Sequence, residues 1–216
     1  MDADAWDERY AAAELVWSAG PNQFLVAEVE GMAPGRALDL ACGEGRNALW
    51  LAEQGWAVTG VDFSQVALAK AARLAEARRV EVDWVVGDVP AWRPPTEGFD
   101  LVIVFYLQLA DPARRRALEV AASAVAEGGT LLVVAHDLDN LSRGVGGPQD
   151  PSVLYRADEV ADVLSGAGLV IEKAVQVRRA VAGGEGEEPR DAIDTVVRAH
   201  RPKGRAAEGI AAATGG

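Results

Sequence analysis

Two apolar runs with a helical segment between them form the most regular part of this chain. The first run covers residues 37–41 and leads into a Cys-Gly-Glu-Gly turn, and the second covers residues 57–61 and ends in Asp62. A strand, a tight turn, a helix and a second strand so close in sequence predict a βαβ unit. Gly43 and Gly45 can adopt backbone angles closed to other residues, and they let the main chain approach a ligand. A ligand with adjacent hydroxyl groups could rest on this turn and meet the Asp62 carboxylate, which predicts a nucleoside-binding site.

The remaining hydrophobic pattern predicts five more strands and the helices between them. Continuous or alternating apolar residues place strands at 80–86, 99–107, 128–135, 169–180 and 192–201. Helical spacing places helices at 4–17, 22–32, 65–78, 112–127 and 158–164. The last two strands are joined by an acidic, glycine-rich connection at 183–189, which predicts an antiparallel hairpin. We therefore expect an α/β fold with a mostly parallel sheet that this hairpin closes.

The segments outside the sheet predict a lid and a tail. Trp6, Tyr10 and Trp17 fall on one face of the first predicted helix. This stripe fits an amphipathic helix packed on the core, and it also fits a lid over a ligand. The expected division of the chain is an N-terminal helical lid at 1–35, a main domain at 36–202 and a disordered tail at 203–216.

Length and composition agree with one globular domain. The chain has 216 residues, of which 50% are hydrophobic and 25% charged, enough for one well-buried core. No apolar run reaches the roughly 18 residues that a membrane span needs, and the acidic first ten residues differ from a signal peptide. We therefore expect a cytoplasmic protein that does not bind a membrane.

Charge and cysteine content restrict the ligands. The formal net charge of −12 argues against binding nucleic acid, because that affinity comes from lysine and arginine side chains that neutralise phosphates. A single cysteine excludes an internal disulfide, and one cysteine with two histidines argues against a His/Cys metal site. The expected substrate is a small molecule, with no metal, and the oligomeric state stays open.

The glycine turn also fits a dinucleotide fingerprint. Residues 43–48, Gly-Glu-Gly-Arg-Asn-Ala, satisfy the pattern G-x-G-x-x-G/A. A pyrophosphate prefers a turn without carboxylates, because backbone N–H groups must hold its negative charge. Asp39 and Glu44 flank this turn, and they suit a ligand with an ammonium group, such as the methionine part of S-adenosylmethionine. An NAD(P)-dependent oxidoreductase remains the alternative.

Two motifs resemble one enzyme class. Residues 38–45, LDLACGEG, resemble the first motif, LDxGxGxG, of the class I S-adenosylmethionine-dependent methyltransferases, with Ala41 in place of the first glycine. Residues 128–132, GGTLL, resemble the GGxLL phrase before the fifth strand of that class. The N-terminal aromatic segment and the stretch LACGEGRNALWLAEQGW are similar to the thiopurine and tellurite-resistance type of methyltransferase. This resemblance implies a Rossmann-like three-layer α/β/α sandwich with a seven-stranded sheet.

The resemblance also implies S-adenosylmethionine as the cofactor and assigns residues to it. Asp62 would bind the ribose hydroxyls, Phe63 would pack on adenine, and Asp88 would accept a hydrogen bond from the adenine amine. Phe63 could equally belong to the core, and Asp88 could cap a turn. Cys42 is expected to pack behind the turn and not to act as a nucleophile. The full expected set is Tyr10, Trp17, Asp39, Cys42, Gly43, Gly45, Asn47, Asp62, Phe63, Gly87, Asp88, Val89 and Phe105.

Candidate catalytic residues follow the fourth and fifth predicted strands. Methyl transfer needs mainly alignment and exclusion of water, but an amine or hydroxyl acceptor also needs a base, for which a histidine with a pKa of about 6.5 is suited. His136 follows the fifth strand with Asp137 as a possible orienting group, and Tyr106 could shape the acceptor site, as could Tyr155. His136 could instead be structural. With a thiol, selenol or tellurium oxyanion as acceptor, no base is needed and His136 would only position it.

The sequence thus predicts an enzyme that transfers a methyl group from S-adenosylmethionine to an oxygen, nitrogen, sulfur or chalcogen atom of a small molecule. Two alternatives remain: the NAD(P)-dependent oxidoreductase, and a non-catalytic nucleoside-binding protein with the same fold.

Overall fold

The structure, a computed structural model, describes residues 3–12, 20–181 and 190–204. Within these residues seven strands form one sheet: β1 (Arg36–Leu40), β2 (Ala57–Asp62), β3 (Val82–Val86), β4 (Phe99–Phe105), β5 (Val125–His136), β6 (Val170–Val181) and β7 (Arg190–His200). The helices are α1 (Ala3–Ala11), α2 (Gln23–Val29), α3 (Arg46–Glu53), α4 (Gln65–Arg78), α5 (Ala113–Ser123), α6 (Asn140–Arg143) and α7 (Ala157–Gly166).

The sheet is mostly parallel. Its strand order is β3-β2-β1-β4-β5-β7-β6, and the neighbours from β3 to β5 all pair in parallel. Each parallel pair needs a crossover connection, and α3, α4 and α5 lie on the connections after β1, β2 and β4. β7 pairs antiparallel with both β5 and β6. The predicted fold class is therefore confirmed, including the hairpin that closes the sheet.

The core lies on both faces of the central strands. In β4, Leu101 and Ile103 pack on the face that α2 and α3 cover, whereas Val102 and Val104 pack on the face that α5 and α7 cover. All four side chains are buried, as the period of two along a strand with covered faces requires. None of the described helices is long and apolar enough to cross a membrane.

The boundary between α5 and β5 differs from the prediction. The helix expected to run to residue 127 ends at Ser123, and β5 begins at Val125, which pairs with Phe99 of β4. Gly128 and Gly129 lie inside β5, where Gly128 N donates to Arg201 O at 2.8 Å and Arg201 N donates to Gly129 O at 3.0 Å. Backbone pairing in the sheet thus prevails over the helical spacing of this segment.

Other boundaries also moved. No side chain caps the start of α5, and the Asp111 carboxylate accepts a bond from Arg114 Nη2 at 2.7 Å. The segment 139–150 contains the short helix α6, and β3 begins at Val82, two residues later than predicted. Part of the predicted first helix, the hairpin connection and nearly all of the predicted tail lie outside the described residues, which exclude 13–19, 182–189 and 205–216.

The two N-terminal helices differ in their packing. α2 buries Leu25 and Val29 in the core beneath the sheet. α1 instead lies on α4, where Ser64 Oγ donates to the Asp7 carboxylate and Lys70 Nζ donates to the Tyr10 carbonyl. The helix α1, which the sequence predicted to be part of a lid, is therefore fastened to α4, the helix that follows β2.

The glycine turn after β1 is held close to β3. A Cβ atom at Gly45 would lie 2.5 Å from the Trp84 ring and 3.1 Å from Ala71 Cβ. Gly45 has a φ of +76°, and Gly31, past the end of α2, has a φ of +77° with no atom within 4 Å of its Cβ position. Both glycines therefore have the left-handed backbone conformation, but only at Gly45 do neighbouring side chains also occupy the space of a Cβ atom.

Substituting alanine at these two glycines separates packing from backbone strain. Gly31→Ala should lower the free energy of unfolding by about 1 kcal/mol, the cost of a left-handed non-glycine residue. Gly45→Ala should lower it by about 2–4 kcal/mol, because the Trp84 ring must also move. Urea-induced unfolding measures both, and equal losses would show that Trp84 does not pack on the turn.

Candidate functional site

The main cavity lies at the carboxyl ends of β1, β2 and β4. The chain leaves β1 toward β2 on one side and β4 lies on the other, so this is the switch point of the sheet at which α/β folds bind ligands. The free space is about 900 Å³, including the open mouth. Eight of the thirteen predicted cofactor residues line it: Tyr10, Asp39, Cys42, Gly43, Asn47, Asp62, Phe63 and Phe105.

The turn after β1 has the backbone conformation that its glycines predicted. Gly43 and Gly45 have φ values of +55° and +76°, and Ala41 has a φ of +58°. Ala41 stands where the resembled motif has its first glycine, so this chain keeps the left-handed conformation there with a residue that disfavours it. The turn thus exposes main chain to the cavity.

Asp62 connects this turn to the end of β2. Its Oδ2 accepts a hydrogen bond from Gly43 N at 2.8 Å, and its Oδ1 accepts one from Ser64 N at 2.9 Å. Burial raises the pKa of Asp62, while these two backbone donors lower it in part. Each carboxylate oxygen keeps a second acceptor position, which a ribose hydroxyl can use.

Asp39 is the acidic group that a cationic ligand would meet. It lies in β1 with 1% of its surface exposed, and its Oδ2 has no hydrogen-bond partner among the described residues. Burial, together with the nearby charge of Asp62, raises its pKa from 3.8 to about 8, although the Ala48 amide and Arg46 act in the opposite direction. Such a carboxyl group becomes favourably ionised when a cation is placed next to it.

Glu44 has a different role from the one its position suggested. Its carboxylate is 3% exposed and lies 3.2 Å from Lys70 Nζ, the group that also bonds the Tyr10 carbonyl. Its charge is therefore balanced within the protein, and the argument for a cationic ligand depends on Asp39.

Two other predicted cofactor residues, Asn47 and Cys42, line the cavity and also make contacts within the protein. Asn47 Oδ1 accepts a hydrogen bond from Asn22 N at 2.9 Å, which ties the start of α2 to α3. Cys42 is buried, and burial raises the pKa of its thiol. A protonated, buried thiol is a poor nucleophile, as expected for a packing residue.

The end of β3 lies beside the cavity without lining it. Gly87 N donates to Asp62 O at 2.9 Å, Asp88 is exposed, and the Val89 side chain is buried in the core. The assignment of Asp88 to the adenine amine stays a prediction. Val89 contributes packing.

The N-terminal aromatics are only partly described. Trp6 and Tyr10 line the cavity, and their ring centroids are 5.5 Å apart. Tyr10 is 5% exposed. Both therefore contribute to a roof over the cavity, whereas Trp17 lies outside the described residues.

A second cluster of polar side chains surrounds the buried carboxylate of Asp194 in β7. Asp194 Oδ2 accepts bonds from the Tyr106 hydroxyl at 3.0 Å and from Arg179 Nε at 2.6 Å. His136 Nδ1 lies 3.2 Å from Asp194 Oδ1. Burial alone would raise the pKa of Asp194, but His136 and Arg179 hold it below its usual value. An ionised carboxylate thus joins the ends of β4 and β5 to the hairpin.

The prediction that Asp137 orients His136 is wrong. Asp137 accepts hydrogen bonds from Thr195 Oγ1 at 2.7 Å and Gln176 Nε2 at 2.9 Å, away from His136. Successive strand residues point to opposite faces, and the residue that pairs with His136 across the sheet is Asp194. An acidic residue within the apolar last strand was the sequence signal for Asp194.

Of the two candidate tyrosines, Tyr106 faces the site and Tyr155 supports a loop beside it. Tyr106 lies between the main cavity and His136. The ring centroids of Tyr106 and His136 are 4.7 Å apart, and the backbone of Tyr106 has a φ of +55°. Burial, with the charge of Asp194, raises its pKa to about 12, so it is a hydrogen-bonding group and not a base. Tyr155 is fully buried and donates to Leu107 O at 2.8 Å, which supports the loop after β4.

Comparisons with known proteins give one consistent answer. Residues 37–129 match the family model described as "Methyltransferase domain". Glycine N-methyltransferase of Oryctolagus cuniculus is 31% identical over an alignment of 160 residues, which covers 66% of this chain and 54% of that protein. The chain thus spans about half the length of the curated relatives it matches.

Solved structures share the fold. One described as "Conversion of a Disulfide Bond into a Thioacetal Group during Echinomycin Biosynthesis" has a TM-score of 0.72 at 24% identity and covers 93% of this chain and 92% of its own. TehB from Haemophilus influenzae has a TM-score of 0.70 at 18% identity, and the match covers 92% of this chain and 66% of the TehB chain. At these identities the likeness concerns the fold alone.

The raised pKa of Asp39 predicts how stability depends on pH. Between pH 4 and its folded pKa of about 8, the folded protein holds a proton that the unfolded chain has released. The free energy of unfolding of the ligand-free protein should therefore fall as pH rises through this window. Asp39→Asn removes this contribution, so its urea midpoint should fall less between pH 5 and 8. Parallel curves for the two proteins would contradict an ionisable, buried Asp39.

Proposed function

We propose that this chain, a member of the class I S-adenosylmethionine-dependent methyltransferases, transfers the methyl group of S-adenosylmethionine to a small-molecule acceptor. The observation that carries this proposal is the buried Asp39 carboxylate, which has an oxygen without a partner among the described residues and faces the cavity at the glycine turn. The sheet order supports it too, because the sheet ends in an antiparallel hairpin where a dinucleotide-binding domain would normally continue with βα units.

The residues present fit this cofactor. Asp39 suits its ammonium group, Asp62 suits the two ribose hydroxyls, and Phe63 offers a ring at the wall where adenine would lie. The bare main chain at Gly43 lets the amino-acid portion come close. When bound, S-adenosylmethionine supplies a methyl group on a positively charged sulfur that is open to attack.

His136 and Tyr106 are proposed to act on the acceptor. Nδ1 of His136 lies 3.2 Å from Asp194 Oδ1 without hydrogen-bond geometry, and the other ring nitrogen, Nε2, is the atom proposed to take a proton from an amine or hydroxyl acceptor. The Asp194 carboxylate would stabilise the positive imidazolium that results. With an acceptor that is already ionised, the same pair would only position it.

The remaining features favour a small soluble acceptor in the cytoplasm. The net charge of −12 disfavours nucleic acid, and the curated relative quoted above is named for glycine. An amine acceptor such as glycine is therefore the first to test. Thiols and tellurite follow, because of the resemblance in the first motif.

Binding and turnover together test the proposal. Isothermal titration should show binding of S-adenosylhomocysteine and none of NAD, because Asp39 favours an ammonium group and disfavours a pyrophosphate. A methyl-release assay over glycine, other amines, thiols and tellurite should identify an acceptor. Binding of NAD without binding of S-adenosylhomocysteine would favour the NAD(P)-dependent oxidoreductase. Binding of S-adenosylhomocysteine without turnover on any acceptor would favour the non-catalytic nucleoside-binding protein.

His136→Ala tests the proposed base once an acceptor is known. For an amine acceptor, kcat should fall by about 100-fold or more, the usual effect of losing a general base, while the Kd of S-adenosylhomocysteine stays the same. The control is His200→Ala, which removes the other histidine; its Nδ1 lies 2.9 Å from Glu172 Oε1, at the opposite end of the β5–β7 pairing. Unchanged turnover in His136→Ala would exclude the residue from catalysis.

A further inference from the structure

A short glycine-rich segment lies beside His136, beyond the end of β5. Residues 144–150, Gly-Val-Gly-Gly-Pro-Gln-Asp, follow α6, and we refer to them as the strap. All of them except Gly144 line a cavity that His136 also lines. The strap therefore belongs to the surroundings of the proposed base, although the proposed methyl transfer assigns it no role.

The strap is fastened to β7 at its start. Asn140 is 3% exposed, and its Oδ1 accepts a hydrogen bond from Ile193 N at 2.7 Å, while its Nδ2 donates one to Gly146 O at 2.8 Å. Val145 N donates to Asp191 O at 3.1 Å. β7 thus sets the position of the strap, once directly and once through Asn140.

The next residue, Gly147, lies against the imidazole ring of His136. A Cβ atom at Gly147 would be 3.0 Å from His136 Cγ and 3.1 Å from both Cδ2 and Nδ1. Because three bonded ring atoms are at nearly equal distances, this Cβ position lies above the face of the ring and not beyond its edge. A side chain at residue 147 would therefore require the ring to give way by a few tenths of an ångström.

The other surroundings of the ring leave it little room to give way. The backbone of His136 is fixed, because the residue pairs with Asp194 across the sheet and its carbonyl accepts a bond from Tyr155 N at 3.0 Å. Nδ1 lies 3.2 Å from Asp194 Oδ1, and the ring centroid lies 4.7 Å from that of Tyr106. A ring pushed away from the strap would therefore change its distance to one or both of these side chains.

We propose that Gly147 is a positioning residue for His136: the absence of a side chain lets the strap lie on the imidazole ring and fix its orientation beside Asp194 and Tyr106. This inference rests on the proposed methyl transfer, in which Nε2 of the same ring takes a proton from the acceptor. A general base must be within hydrogen-bond reach of that proton, and a displacement of about 1 Å can reduce turnover about 100-fold. Gly147 does not line the main cavity, so its effect falls on turnover and not on cofactor binding.

A double-mutant cycle tests the contact without turnover. Gly147 has a φ of +73° and precedes Pro148, so alanine at this position also strains the backbone. His136→Ala removes the ring but leaves this strain unchanged. Gly147→Ala should therefore lower the urea midpoint more in the unsubstituted protein than in the His136→Ala protein. Equal losses in the two proteins would overturn the proposal, because the cost would then come from the backbone alone.

Gly146→Ala is the matched control. Gly146 has a similar φ of +69°, and no atom of the described residues lies within 4 Å of its Cβ position. Alanine there strains the same strap without touching the ring, so its loss in urea midpoint should be the same with and without the ring of His136. A loss that depends on the ring as strongly as the loss at Gly147 would overturn the assignment to Gly147.

Turnover of the identified acceptor shows whether the contact positions the base. Gly147→Ala should lower kcat about tenfold or more, whereas Gly146→Ala leaves kcat unchanged and neither variant alters the Kd of S-adenosylhomocysteine. In the His136→Ala protein, Gly147→Ala should cause no further loss of kcat, because both changes act on the same ring. An unchanged kcat in Gly147→Ala, or an equal further loss without the ring, would overturn the proposal.

The outcomes separate this proposal from the proposed function and from misfolding. Failure to bind S-adenosylhomocysteine, or absence of turnover on every acceptor, would remove the proposed function and this inference with it. Turnover that is insensitive to Gly147→Ala would remove this inference alone. If Gly147→Ala does not fold, the double variant with His136→Ala decides, because loss of the ring relieves the collision. Restored folding by circular dichroism supports the contact, and a double variant that also fails to fold would overturn it.

Discussion

The hydrogen bond from the Gly43 amide to the Asp62 carboxylate is the contact on which the site depends. It joins the turn after the first strand to the end of the second, so two loops that leave adjacent strands are held at one distance. The second oxygen of Asp62 holds Ser64, and Ser64 in turn holds α1 through Asp7. The Asp62 carboxylate therefore positions the glycine turn directly and helix α1 through two further bonds.

Charged side chains of both signs lie on each side of Tyr106. Asp39, Asp62 and Arg46 line the main cavity, whereas Arg179 and His136 lie beside Asp194 at the closing hairpin. Burial makes such charges act more strongly than they would in water. The Tyr106 hydroxyl donates to Asp194, so this one side chain connects the cavity to the polar cluster of the hairpin.

The sequence predicted the backbone of the glycine turn better than the surroundings of His136. The turn at residues 41–45 follows from local requirements, because positive φ values favour glycine whatever the rest of the fold does. The acidic partner of His136 does not follow from local requirements. It depends on how β7 pairs with β5, some sixty residues away in the chain. The wrong choice of Asp137 and the wrong end of α5 share this cause: non-local strand pairing decided each of them.

The closing hairpin holds Arg179 on one strand and Asp194 on the other, and both lie beyond the segment, 37–129, that matches the methyltransferase family model. Alternate residues of a strand face opposite sides, so inserting or deleting a single residue in either strand would exchange the whole set of side chains presented to the cleft. Descendants of such a gene could present different side chains at this edge through small indels while the glycine turn and Asp62 stayed intact.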